Sequence, residues 1–147
     1  MTGTGGGAMF KRIVFATDGS EHALKAQGYA KNLSELHKAK LFIVHAYPSM
    51  SDLLGFKEYS TIATHRIANG QKVLDEALKA FNGTGIEVET ELMEGPTAEA
   101  ILRVAEARKA DLVILGARGL SPITGLLLGS VSQKILQHAP CPVLVVR

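Results

Sequence analysis

Cysteine occurs once in the 147 residues, at Cys141, so no disulfide can form within the chain. That scarcity suits a reducing compartment, and the expected location is the cytoplasm. Cys141 has no Cys or His neighbour at metal-ligand spacing and reads as a structural thiol. No apolar run approaches the roughly eighteen residues that a membrane span needs. Charge of one sign is lacking too. Sixteen Lys and Arg against 14 Asp and Glu leave a formal net charge of +2, and the basic residues are scattered. Neither a membrane nor a nucleic acid is expected as a partner.

Several site signatures are also missing. No Gly-Lys-Ser/Thr step exists, which excludes a Walker loop. No Gly-x-Ser-x-Gly elbow exists, and neither Ser130 nor Ser132 has a visible His–Asp partnership, so a hydrolase triad is not expected. No two histidines stand at metal spacing. There is no internal repeat. Gly5-Gly6-Gly7 precedes the first strand instead of following one, which excludes a nucleotide loop there. Residues 1–8 carry no periodicity and read as a flexible leader or a remnant of cloning, with the folded domain running over 9–147.

What remains is the composition of one globular domain, 46% hydrophobic and 20% charged. Five apolar runs alternate with helical patterns. Arg12–Ala16 is the first strand. Ser20 then reads as an N-cap before a helix carrying Ala23, Ala26, Ala30 and Leu33. Leu41–His45 is the second strand, followed by an irregular excursion over Pro48–Tyr59. A long helix is predicted over Ser60–Phe81 with Ile67, Leu74, Leu78 and Phe81 on one side, ended by the glycines of Asn82–Gly85. Ile86–Met93 alternates as a strand near a sheet edge does. A third helix carries Ile101, Leu102, Val104 and Ala105, the fourth strand is Leu112–Leu115, and Pro142–Val146 makes the fifth. This alternation predicts an α/β domain: an open parallel sheet with helices on both faces.

In such folds ligands sit beyond the C-terminal ends of the strands. The fourth strand runs into Gly116-Ala117-Arg118-Gly119, and nine residues later Gly129-Ser130 opens a helix reaching His138. Glycines let the backbone approach an anion, free N–H groups at a helix start favour negative charge, and Ser130 can cap the helix or offer its hydroxyl. The spacing reads equally as a long turn. Asp18, at the tip of the first strand, reads as a turn former or as a carboxylate facing the crevice. Arg118 reads as a phosphate contact or a solvated loop residue. His45 reads as a satisfied, partly buried histidine. His22, His37 and His65 are expected in solvent, and His138 sits where a helix dipole welcomes a cation.

Taken together, Ile13–Ser20, the Val44-His45 step, the Gly-x2-Gly-x9-Gly-Ser pattern and the ending Pro140–Val146 resemble the universal stress protein family, UspA-like, over Met9–Arg147. The glycine pattern resembles that of its ATP-binding subgroup. The resemblance implies a Rossmann-like single domain, similar to adenine nucleotide alpha hydrolases, with strand order 3-2-1-4-5. It implies ATP or another adenine nucleotide as ligand, with Mg2+ held mainly by the phosphates. Ala16, Asp18 and Ala46 would then lie at the adenosine, and Leu115, Gly116, Arg118 and Gly119 at the ribose and first phosphates. Gly129, Ser130 and Val131 would take the outer phosphates, with Ser132 close by. It further implies a homodimer paired through strand 142–146 and a regulatory role toward an unidentified protein partner. No residue reads as a general base or an arginine finger, so at most weak hydrolysis is expected.

Overall fold

The computed structural model describes residues 7–49, 56–119 and 128–147. Strands and helices alternate as β1 (Arg12–Ala16), α1 (Glu21–His37), β2 (Lys40–Tyr47), α2 (Phe56–Lys79), β3 (Val88–Glu94), α3 (Thr97–Ala107), β4 (Leu112–Gly116), α4 (Ser130–His138) and β5 (Val143–Val146). All strand pairs are parallel, in the order β3-β2-β1-β4-β5. Sheet order and fold class agree with the expectation.

Side chains alternate across a strand, so β1 feeds two cores at once. Ile13 and Phe15 join Leu41, Ile43, Leu112 and Ile114 beneath α1 and α2. Val14 and Ala16 join Phe42, Val44, Val113 and Leu115 beneath α3 and α4. Central strands buried on both faces must be apolar throughout, which is why β1, β2 and β4 read as unbroken runs. Each fully buried Ile, Leu, Val or Phe contributes about 1.5–3 kcal/mol of gross burial energy. β3 and β5 lie at the edges and are half-buried.

Ser20 caps α1 as its position predicted: its Oγ accepts from the Ala23 N–H at 3.3 Å. Gly83 and Gly85 end the α2 region at φ 76° and 77°, the left-handed region that glycine adopts without cost. Two further left-handed turns carry lysine, Lys38 and Lys109, both at φ 53°. Lysine is no signal for that conformation, so neither turn is legible from the residue type.

Three expectations change. Helix α2 begins at Phe56, within the stretch expected to be irregular, while residues 50–55 of that stretch lie outside the described residues. Its buried stripe is Gly70, Leu74, Ala77 and Phe81, so Ile67 and Leu78, 44% and 38% exposed, fall on the flank. At about 100° per residue they sit some 50–70° round from the stripe's centre. His22 and His37 are half-buried. His37 accepts the Met9 N–H at 3.1 Å and meets Phe10 edge-on, while His22 Nδ1 is buried with no partner among the described residues. Cys141 keeps its structural reading: burial pushes its thiol up, Asp111 adds to the shift, and the reactive thiolate is disfavoured.

Candidate functional site

β1 has β2 on one side and β4 on the other, so the chain leaves their C-terminal ends in opposite directions and opens a crevice there. A cleft of about 420 Å³ occupies it, within the range of small-molecule sites. Ala16, Asp18, Ala46, Leu115, Gly116, Arg118, Gly119, Gly129, Ser130, Val131 and Ser132 all line this one cleft. Thr17, Pro48, Thr97 and Ile101 line it as well, unanticipated, and so does His45, read from the sequence as a partly buried core residue. Thr97 and Ile101 come from α3, and no local pattern announces them. Only the winding that lays α3 across the ends of the strands puts them there.

Asp18 closes a turn and also lines the cleft. Its Oδ1 accepts the Ser20 N–H at 2.9 Å and closes the turn, in which Gly19 takes φ 77°. Its Oδ2 faces Gly119: a Cβ built on Gly119 would stand 2.5 Å from that oxygen. The carboxylate therefore spans from the β1 exit to the first part of the glycine loop.

Two of the three pattern glycines are fixed by their neighbours and the third is not. None is in the left-handed region, where Gly19, Gly83 and Gly85 are the only glycines among the described residues. Gly116 is required by packing, since a Cβ there would lie 2.8 Å from the carbonyl carbon and Cβ of His22. Gly119 leaves room for the Asp18 carboxylate. Gly129 has φ −80° and ψ 169°, which any residue adopts, and its Cβ would meet nothing nearer than Ala117 O at 3.5 Å. Neither conformation nor packing demands a glycine there. Residues 120–127, the middle of the pattern, lie outside the described residues.

Gly129, not Ser130, is the N-cap of α4, and no side chain caps the helix among the described residues. This overturns the capping role considered for Ser130. The reason is local: the Gly129 N–H donates to Ala117 O at 2.7 Å and the first helical bond runs from Gln133 N–H to Gly129 O at 3.0 Å. Ser130 is thereby already inside the helix. Its N–H and those of Val131 and Ser132 precede the first helical donor, Gln133, so they form the positive end of the dipole. The buried Ser132 hydroxyl points inward instead, within 2.7 Å of Ala117 O and 3.0 Å of Gly129 O. It ties the helix start to the β4 exit and leaves only its backbone N–H for a ligand.

Outside the residues that line the cleft, Glu99 of α3 pairs with Lys134 of α4. The bond to Lys134 holds the Glu99 carboxyl below its usual range. Among the described residues, no group of three or more His, Cys, Asp or Glu could hold a metal ion. No described helix is long and apolar enough to cross a membrane. The arrangement offers oriented N–H donors at one end, small apolar walls at the other, and one carboxylate between them.

Residues 9–147 match the model of the universal stress protein family. A universal stress protein of Thermus aquaticus is 45% identical over 139 residues, covering 95% of this chain and 100% of that protein. Among solved structures, a universal stress protein in complex with cAMP is 30% identical, with a TM-score of 0.72, over 94% of this chain and 97% of that one. The universal stress protein UspA from Lactobacillus plantarum shares the fold at 22% identity and a TM-score of 0.83, over 93% of this chain and 97% of its own.

Proposed function

Because this chain belongs to the universal stress protein family, we propose that it is an adenine-nucleotide-binding regulatory module, with ATP as ligand. What carries the reading is the meeting, in one cleft, of the side-chain-uncapped α4 start at Gly129–Ser132 with the Asp18 carboxylate. Phosphate oxygens suit the first, since a helix start with free N–H groups is an anion site. A ribose hydroxyl or adenine edge suits the second, since an ionised carboxylate only accepts hydrogen bonds. The small side chains of Ala16 and Ala46 leave width for a base. The related structure holding cAMP supports an adenine nucleotide over other anions.

Mg2+ would be held mainly by the phosphates and would supply charge neutralisation there; Asp18 and Ser130 are lining residues whose side-chain oxygens could help to hold it. Asp18 is the one carboxylate among the described residues of the cleft, and its Oδ1 is already engaged. Among the described residues lining the cleft there is no second carboxylate, and the His45 ring is held by Thr17 O, so the module is read as a binder whose hydrolysis is slow. We further propose a cytoplasmic homodimer, paired through β5, through which occupancy reaches a partner protein. β5 is an edge strand with half-buried Val143, Leu144 and Val145, and such an edge invites pairing.

The test is calorimetric titration of ligand-stripped protein with ATP and magnesium, with cAMP and GTP in parallel. Micromolar binding of the adenine nucleotides, lost in Gly129→Val, is the expected result. That variant places a β-branched side chain on the phosphate approach, in a backbone conformation that valine accepts. Equal binding by the variant, or none by the natural protein, overturns the reading.

A further inference from the structure

His45 lies near the C-terminal end of β2, on the α2 side of the sheet, and its ring meets two separate parts of the molecule. Its Nδ1 lies 2.8 Å from Thr17 O. A carbonyl can only accept, so Nδ1 carries the proton and donates. Gly70 of α2 is seated against the opposite part of the ring: a Cβ on Gly70 would stand 3.2 Å from His45 Cδ2 and 2.7 Å from Leu92 Cδ1. Thr17 continues directly into the turn that holds Asp18. The Thr17 N–H donates to Val44 O at 2.9 Å and its Oγ1 accepts the Gly19 N–H at 3.1 Å.

Helix α2 reaches the neighbouring walls at the same spacing. Arg66, one turn before Gly70, donates to Ser49 O at 2.8 Å and Pro48 O at 3.3 Å. Val73, one turn after, is the nearest atom to a Cβ built on Gly19, at 3.9 Å. One ridge of α2 thus touches the β2 exit, the His45 ring and the Asp18 turn. None of Arg66, Gly70 and Val73 lines the cleft.

We propose that His45 is a positioning residue: clamped between Gly70 and the Thr17 carbonyl, it sets the Thr17–Ser20 turn that aims Asp18 into the cleft, and so couples α2 to ligand binding. The proposal rests on the adenine-nucleotide reading of the cleft. It gives the glycine at position 70 a purpose, since a helix interior otherwise favours alanine over glycine. It also names the element through which occupancy leaves the site, because any movement of the turn is felt along the same α2 ridge.

The test uses the full chain with His45→Leu, His45→Asn and Gly70→Ala, read by titration with ATP and by amide hydrogen exchange of Gly19 and Ser20 in the ligand-free protein. Asparagine carries an amide nitrogen at nearly the place of Nδ1, so it restores the donor without the ring. His45→Leu is expected to weaken binding by at least about tenfold, the scale of a buried acceptor left unpaired, and to speed exchange at both amides. His45→Asn should recover most of both losses. Gly70→Ala, outside the cleft, should weaken binding; the better helix propensity of alanine, about 1 kcal/mol, and the flexible Leu92 side-chain end offset part of the new contact's cost to stability. If the natural protein binds and His45→Leu binds equally well, the positioning role is refuted. If it does not bind, the nucleotide reading fails, and the exchange rates alone decide whether His45 holds the turn; unchanged rates in His45→Leu refute that.

Discussion

Gly116→Ala adds one methyl group at the point where β4 passes under the start of α1. The new Cβ would stand 2.8 Å from the His22 carbonyl carbon and Cβ and 3.0 Å from Ala23 N. Two of those are backbone atoms of a capped first turn, so no rotamer change relieves the contact. To bring 2.8 Å to an ordinary carbon–carbon separation of about 3.5 Å, the turn must retreat by roughly 0.7 Å. Retreat opens space between α1 and the sheet where Ala23, Ala26 and Ala30 are seated. Overpacking of this kind costs about 1–3 kcal/mol. At about 2 kcal/mol, a domain of this size loses roughly 4–8 °C in Tm. Urea unfolding measures the change in Cm, and Gly129→Ala is the control. Its Cβ has 3.5 Å of clearance and its backbone is extended, so a change within about 0.5 kcal/mol is expected. Equal stability of the two variants would refute the assignment of packing to Gly116 and of free space to Gly129.

Val145→Pro tests the dimer edge. Val113 N–H donates to Pro142 O and Ala117 N–H to Val146 O, so by alternation the backbone groups of Val145 face outward, away from β4. Proline there removes an outer donor and spares the inner ladder, and sedimentation should show monomers; a surviving dimer would place the interface elsewhere. Lys109 closes α3 in a Schellman turn, with Ala110 N–H to Ala105 O at 2.9 Å, at φ 53°. Lys109→Gly should stabilise by about 0.5–1 kcal/mol, read by thermal melting, after allowing for the freer unfolded chain. Glu99 has its carboxyl lowered by Lys134, so its stabilising contribution is present above the ordinary Glu range and is lost as pH falls through the lowered value. The difference in Tm between the natural protein and Glu99→Gln should therefore close under acid, and a difference that grows on acidification would reverse the sign assigned to the pair.

Much of the architecture was legible because its physics is local. Ile13, Val14, Phe15 and Ala16 are apolar in succession because both faces of β1 are covered, and that alone predicts a central parallel strand. Ser20 announced its cap, and Gly83 and Gly85 announced their turns, because each satisfies a requirement set within a few residues. The residues lining the cleft were legible for a related reason: in a doubly wound sheet the chain leaves each strand at the same end, so strand-end residues converge whatever the loops do.

What only the tertiary structure decided depends on contacts between residues far apart in the chain. Gly116 owes its identity to His22 and Gly119 to Asp18, across 94 and 101 positions of sequence, and neither needs a special backbone angle. His45 became part of the site through Thr17 and Gly70, and Thr97 and Ile101 through the placing of α3. Hydrophobic period and turn chemistry are properties of a short segment and can be read from it. The space available to a methyl group, or the carbonyl that receives an imidazole N–H, is a property of how segments meet, and only the packed fold settles it.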